Sequence, residues 1–427
     1  MEFKNVEEIA AWRLCLGCGA CAYACRQGNV RLVDITRDGI RPAVGSGCDG
    51  CGDCVKVCPG LETSHNEWPE DALRELTRGW GPVLDVWEGH ASDPEIRFAG
   101  SSGGAATALA LYCIERLGMH GALHSGGAVD EPWRNRTVFS LAREELIKRS
   151  GSRYSPASPC DGLASIEAAP SPSVFIGKPC DVAALRKAGE MRPALKSKTG
   201  LALSIFCAGT PSTLGTLELL KRLDVSAEEL KNLRYRGMGW PGMWNAALKN
   251  GKEVKLSYME AWGFLQKYRP LRCYLCPDGT GEFADVSCGD PWYREAVESE
   301  PGLSMVVART GLGRKIIGSA MDAGYLKLRR IDPALLARSQ ANLLAKRSAI
   351  WGRLAAMRLF GIPVPRLSGF SLFRNWLGLS IGEKARSFAG TARRVVKRGY
   401  YARARRVSYI EGKRGNINHL NEGTHEN

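Results

Sequence analysis

Between residues 81 and 330, short apolar runs of strand length alternate with longer segments of helical period, separated by Gly- and Pro-rich turns. That alternation predicts a mixed α/β domain. Val83–Gly89 reads as a strand leading through Ser101-Ser102-Gly103-Gly104 into an apolar helix over Ala105–Leu117. Val174–Ile176 leads through Gly177-Lys178-Pro179-Cys180 into a helix ending near Ala188. Leu201–Phe206 leads through Cys207-Ala208-Gly209-Thr210-Pro211 into a helix over Thr213–Leu223. Leu303–Ala308 predicts another strand, and Gly313–Ala323 a helix closed by Gly324. Nearer the N-terminus, Val30–Ile35 and Ile40–Val44 bracket Arg37-Asp38-Gly39, which predicts a hairpin. Pro69–Leu76 predicts a helix opened by its proline. The resulting division is 1–62, a linker and helix over 63–80, the core over 81–330, a basic helical extension over 331–414, and a polar end, 415–427, expected to be disordered.

Two cysteine runs give this outline its chemistry. The first is Cys15-x2-Cys18-x2-Cys21-x3-Cys25; the second is Cys48-x2-Cys51-x2-Cys54-x3-Cys58, followed by Pro59. In the bacterial two-cluster ferredoxin spacing, the fourth cysteine of each run ligates the other cluster. Cys15, Cys18, Cys21 and Cys58 are therefore assigned to one 4Fe-4S cluster, and Cys25, Cys48, Cys51 and Cys54 to a second. Gly17, Gly19, Gly50 and Gly52 flank the central cysteines and let backbone N–H groups face cluster sulfur. Zinc is the competing reading, but two matched tetrads suit it poorly. One departure is Arg26, where proline would follow Cys25.

Composition narrows the setting. A chain of 427 residues, 44% hydrophobic and 24% charged, is expected to form two or three domains with a substantial core. The charged start lacks the apolar segment of a signal peptide, and no apolar run is long enough to span a bilayer. With fifteen cysteines, this predicts a cytoplasmic redox protein and no disulfide framework. The net charge of +15 is uneven: Lys384–Arg406 contains nine Lys/Arg and no acid. Such a stretch is a solvated helix, a docking face for an acidic partner, a peripheral contact with anionic membrane, or a nucleic-acid contact. No nucleic-acid-binding motif accompanies it, so nucleic acid is not an expected partner.

Within the core, Ser101–Gly104 before a helix is either an anion cradle, with Ser102 capping, or a plain cap. Lys178 is either a partner for a phosphate or flavin anion, or a solvated lysine. Cys180 and Cys207 end neighbouring strand candidates, and Cys273-x2-Cys276 lies in a turn-rich stretch. Strand ends at one sheet edge converge, so these four can hold a third cluster or a zinc ion. Cys113, Cys160 and Cys288 read as packing residues, and His65, His90, His120 and His124 as structural or solvated ones. Phe283–Asp290 reads as a strand ending in a capped glycine turn, with a metal or ribose contact as the alternative.

Taken in order, Gly100–Leu109, Gly177–Arg186, Phe206–Ser212, Arg272–Asp278 and Ala284–Ser287 resemble the coenzyme F420 hydrogenase/dehydrogenase beta-subunit family. The likeness spans about residues 80–330, and a ferredoxin-like module commonly accompanies that core. The resemblance implies an FAD-dependent oxidoreductase passing electrons between 4Fe-4S clusters and an organic hydride acceptor such as the deazaflavin F420. It implies FAD contacts at Ser102, Gly103, Gly104 and Thr107, with Lys178 at a position where many members carry a small or hydroxyl residue. It also implies a third cluster on Cys180, Cys207, Cys273 and Cys276. Expected partners are a redox protein (a ferredoxin or a hydrogenase or dehydrogenase subunit) and a small-molecule hydride acceptor. The basic extension is unlike the shorter archaeal subunits and resembles bacterial members linked to surface polysaccharides. The rivals are an electron-relay subunit without a substrate site, and a zinc protein whose tail binds nucleic acid.

Overall fold

The computed structural model describes residues 2–65, 68–295 and 300–404; the expected disordered end and the last part of the basic run lie outside them. The N-terminal module is built on a hairpin of β1 (Val30–Ile35) and β2 (Gly39–Val44), in antiparallel register from Val30 opposite Val44 to Ile35 opposite Gly39. β3 (Glu62–Ser64) leaves the module. The core strands follow as β4 (Asp85–Ala91), β5 (Ala122–Gly127), β6 (Asn135–Ser140), β7 (Ser173–Gly177) and β8 (Thr199–Ile205). A separate three-stranded sheet holds β9 (Leu230–Arg234), β10 (Met243–Leu248) and β11 (Glu253–Ser257). β12 (Val286–Gly289), β13 (Ser304–Ala308) and β14 (Leu326–Arg330) return to the main sheet, and β15 (Arg366–Ser368) pairs with β3.

The main sheet has the order β14-β4-β13-β12-β8-β7-β5-β6. Its centre, β12-β8-β7-β5, is parallel, and both flanks are antiparallel. The parallel strands read as near-continuous apolar runs because helices cover both faces. Val174, Leu201 and Leu203 pack toward the helices Ala105–Glu115 and Gly311–Asp322. The alternate residues Phe175 and Ala202 pack toward Pro179–Met191 and Leu163–Glu167. The edge strand β14 carries Lys327, Arg329 and Arg330, charges that discourage further strand pairing.

One expectation needs correction. Pro69–Ala72 is a turn, with the Ala72 N–H bonded to Pro69 O, and the helix runs over Arg74–Trp80. The Leu73 N–H is taken by Val83 O, which holds the chain extended there and delays the helix. The basic extension, as far as it is described, is helical and packs one face on the rest of the chain, while Arg386, Arg393 and Lys397 stay exposed. Its helices Ile350–Leu359 and Ile381–Lys397 bury Leu354, Met357 and Val395 against Val6, Ile9 and Trp12 of the N-terminal module. The buried Arg347 guanidinium pairs with Glu282 of the core, which also bonds His65 at 2.9 Å. Among the described residues, no helix is long and apolar enough to cross a membrane.

Candidate functional site

The two cysteine runs interlock across the module. Cys58 lies beside Cys15, Cys18 and Cys21, and Cys25 beside Cys54 with Cys48 and Cys51. Around the first group the fold is tight. Gly19 has φ +92°, and a Cβ there would lie 2.8 Å from the Asp161 amide and 2.9 Å from Ser158 O, so only glycine lets this loop sit on the core. A small cavity is ringed by Cys15, Cys18, Cys21 and Cys58, with Val6, Ile9 and Leu32 closing it. Burial pushes the Cys15 and Cys21 thiols up, and Cys58 up to about 12, with the neighbouring thiols adding to each, while a hydrogen bond with Cys160 lowers Cys18. A compensating cation is needed to ionise the three raised thiols together. Among the described residues, no three His, Cys, Asp or Glu side chains are set to hold a single metal ion. A tetrahedral zinc site would need four donors within about 2.3 Å of one point, whereas a four-iron cube takes one ligand per corner. Four thiols around one small cavity fit a 4Fe-4S cluster with one ligand to each corner.

The second group faces outward. Cys48 and Cys51 are exposed, while Cys54 is buried. Cys54 also neighbours Cys21, so the two groups adjoin.

A third group forms at the carboxyl edge of the parallel strands. Cys180 opens the helix after β7, Cys207 follows β8, and the short helix Leu271–Tyr274 brings in Cys273 and Cys276. Each of Cys180, Cys207 and Cys276 feels others of the set, and burial pushes all three thiols up, Cys207 to about 11. Lys178, Arg272 and Lys346 supply positive charge around them, which suits an anionic cluster. Sequence reasoning missed Lys346, because its place beside Cys207 comes from packing of the C-terminal layer. Arg272 is 1% exposed and joins the first and third groups: it donates to Gly60 O at 3.1 Å and Pro59 O at 3.3 Å, next to Cys58, and to Leu275 O at 3.1 Å. A second link runs through Cys160. Its N–H donates to Cys18 O at 3.0 Å, its thiol donates to Asp181 O at 3.3 Å, and it touches the Cys18 thiol. Cys160 is thus more than packing.

A cleft of about 290 Å³ opens beside the third group, lined by Cys207 itself. Its walls are the ends of the parallel strands, the place where open α/β sheets bind ligands. Ser102, Gly104, Thr107 and Lys178 line it; Gly103 does not. The Gly103 N–H donates to Ser304 Oγ at 2.9 Å, and a Cβ there would press on Gly89 O at 2.7 Å, so Gly103 serves the close approach of this loop to the sheet. Ser102 does not cap the helix: its hydroxyl bonds Ser304 Oγ at 2.9 Å, and Gly104 is the cap without a side-chain bond. Lys178 is not a free solvated lysine, since Nζ lies 2.6 Å from Asp181 Oδ2; burial pulls its pKa down, and Asp181 together with the Cys180 and Cys207 thiols raises it overall.

The opposite wall was not foreseen. Tyr258 stacks on Trp292 at 5.4 Å, Tyr154 packs on Trp262 at 4.9 Å, and Arg236 lies 4.5 Å over Tyr258. Arg236 grips Asp290 with bonds of 2.7 and 2.9 Å and donates to Ser101 O at 2.6 Å. Asp290 is therefore an ion-pair partner and not a turn cap. Composition alone carried no signal for this wall, because its members come from four separate segments.

Comparison with known proteins is consistent between residues 7 and 334. The family description "coenzyme F420 hydrogenase/dehydrogenase, beta subunit" matches at residues 86–164 for its N-terminal part and 173–334 for its C-terminal part. A 4Fe-4S dicluster domain matches residues 7–62. The chain is 24% identical over 275 residues to the coenzyme F420 hydrogenase subunit beta of Methanosarcina barkeri, covering 59% of this chain and 84% of that one. It is 26% identical over 250 residues to the F420-dependent formate dehydrogenase subunit beta of Methanocaldococcus jannaschii, covering 56% and 60%. In fold it is similar to a chain of the F420-reducing NiFe hydrogenase complex from Methanosarcina barkeri, with a TM-score of 0.53 and 22% identity over 66% of this chain and 95% of that chain.

Proposed function

Because this chain belongs to the coenzyme F420 hydrogenase/dehydrogenase beta-subunit family and carries a 4Fe-4S dicluster domain, we propose that it is an iron–sulfur flavoprotein subunit. It exchanges electrons with a partner protein at one end and a hydride with a small deazaflavin-like molecule at the other. The observation that carries this reading is Cys207, which belongs to the third cysteine group and lines the cleft as well. When bound, 4Fe-4S clusters supply one-electron transfer and FAD supplies conversion to two-electron hydride chemistry.

The chain's own residues divide the work. Cys25, Cys48, Cys51 and Cys54 hold a cluster at the surface, where a partner subunit can approach. Cys15, Cys18, Cys21 and Cys58 hold one inside, and Cys180, Cys207, Cys273 and Cys276 hold a third beside the cleft. Arg272 fixes the inner, first group to the third through backbone carbonyls next to Cys58 and Cys276. Gly104 and Thr107, at the uncapped start of the Ala105–Glu115 helix, would hold a phosphate of FAD, with Ser102 orienting the loop. Lys178, held by Asp181 on the cleft wall, would lie beside a bound flavin and add a hydrogen-bond donor there. The aromatic wall of Tyr258, Trp262 and Trp292 excludes water and offers flat surfaces to a planar ligand. The names of the relatives favour F420 as the organic partner. A relay subunit without a substrate site would not need this cleft.

Anaerobic purification with metal, sulfide and flavin analysis tests the reading, followed by a turnover screen against F420, NADH and NADPH. About twelve irons and about one FAD per chain are expected. A preparation with iron but no flavin would reduce the protein to a relay.

A further inference from the structure

The N-terminal module, the α/β core and the C-terminal layer meet around a separate chamber of about 340 Å³. Six basic side chains line it, Arg13, Arg37, Arg41, Lys267, Arg269 and Arg398, against the acidic Glu7 and Asp38. Four of the six are committed to the protein. Arg13 donates to Ala402 O at 2.8 Å, Arg41 to Ile40 O at 2.8 Å, Arg398 to Tyr400 Oη at 3.2 Å, and Arg269 to Ala208 O at 2.8 Å. Arg37 and Lys267 are exposed and find no hydrogen-bond acceptor or carboxylate among the described residues. An excess of like charge around one hollow is self-repelling, and an anion inside relieves it.

Ser212 supplies an independent indication. It is the N-cap of the ten-residue helix Thr213–Arg222 and lines the chamber, yet its side chain makes no cap bond. The residue is 1% exposed and its hydroxyl has no hydrogen-bond partner among the described residues. Buried hydroxyls are rarely left unpaired, and this one sits at the positive end of a helix dipole. We infer that the chamber binds a small phosphate-bearing anion, with Ser212 Oγ donating to a phosphate oxygen and Arg37 and Lys267 flanking it. Phosphate suits the site better than a single carboxylate because the wall carries several more positive than negative groups. Arg41 faces the chamber and also lies against the Cys15 thiol. If the buried cysteines hold a cluster as proposed above, an occupied chamber places negative charge nearby and makes that cluster harder to reduce.

Titration calorimetry on the anaerobically purified full chain, with inorganic pyrophosphate and separately inorganic phosphate, tests the site. Pyrophosphate is expected to bind once per chain and more weakly as salt rises. Arg37→Gln with Lys267→Gln should weaken it about tenfold or more, and Ser212→Ala about fivefold. Lys178→Gln, in the cleft, should leave it unchanged. No binding by the wild type, full binding by the double variant, or loss through Lys178→Gln would overturn the site. In a redox titration followed by electron paramagnetic resonance, pyrophosphate should move one cluster's midpoint to a more negative value. Binding without that movement overturns the link through Arg41. An iron-free preparation that still binds pyrophosphate would sink the cluster reading and leave the chamber standing.

Discussion

The same cysteine spacing, used twice within sixty residues, ends in two opposite environments. Cys15, Cys18 and Cys21 with Cys58 are pressed against the core by Gly19 and walled by Val6, Ile9 and Leu32. Cys48 and Cys51, in the matching positions of the second run, stand in solvent, and a Cβ on Gly50 or Gly52 would meet nothing. Ligand type and spacing therefore set what each group can bind. The neighbouring chain sets how a bound cluster behaves, since burial and N–H groups facing sulfur control reduction potential. The outward group is suited to exchange with a partner, and the inward one to protected transfer toward the cleft.

The contrast can be broken by experiment. Cys18→Ser should have the largest effect, costing about four irons and about 5 °C or more of thermal midpoint while FAD is retained. Iron analysis and anaerobic calorimetry read both, and unchanged iron would refute the ligand assignment. Cys51→Ser should cost about as much iron with a much smaller change in midpoint, because that loop is exposed and is held by the side chains of Gln27 and Asn29 at the surface. Equal thermal losses in the two variants would erase the difference in environment. Arg272→Met leaves the carbonyls of Pro59, Gly60 and Leu275 without their buried donor, at a cost of about 3 kcal/mol. Its thermal midpoint should fall between those of the two cysteine variants, with Arg272→Lys recovering part of the loss.

The smallest effect concerns His124, on the cleft wall and bonded to Ser140 Oγ at 2.9 Å. Burial holds its imidazole below the ordinary 6.5. The unfolded chain therefore takes up a proton at a pH where the folded chain does not, and stability falls as pH drops from about 6.5 toward the folded value. A pH series of thermal midpoints should show this slope in the wild type and a flatter one in His124→Gln.

Much of this was legible in the residues. The β1–β2 hairpin, β7, β8 and β13 follow from alternation or short apolar runs bounded by turns, and those signals are local. The Pro69–Leu76 helix was misplaced because a contact between Leu73 and Val83 outweighed the proline start. β9, β10 and β11 went unread, since each is stabilised by its neighbours and by a small core around Trp244 and Leu233. Asp290 was misread because its partner, Arg236, lies far off in the chain.

By itself the order of residues determined the kinds of ligand atom and the spacing that makes them cluster donors, because a tight CxxCxxC loop is a local geometry. Only the tertiary structure decided which cysteine group is buried, that Cys207 belongs both to the third cysteine group and to the cleft wall, and that Arg272 ties the chain beside Cys58 to the chain beside Cys276. Burial and charge pairing depend on segments hundreds of residues apart, and no short-range pattern can specify which of them will meet.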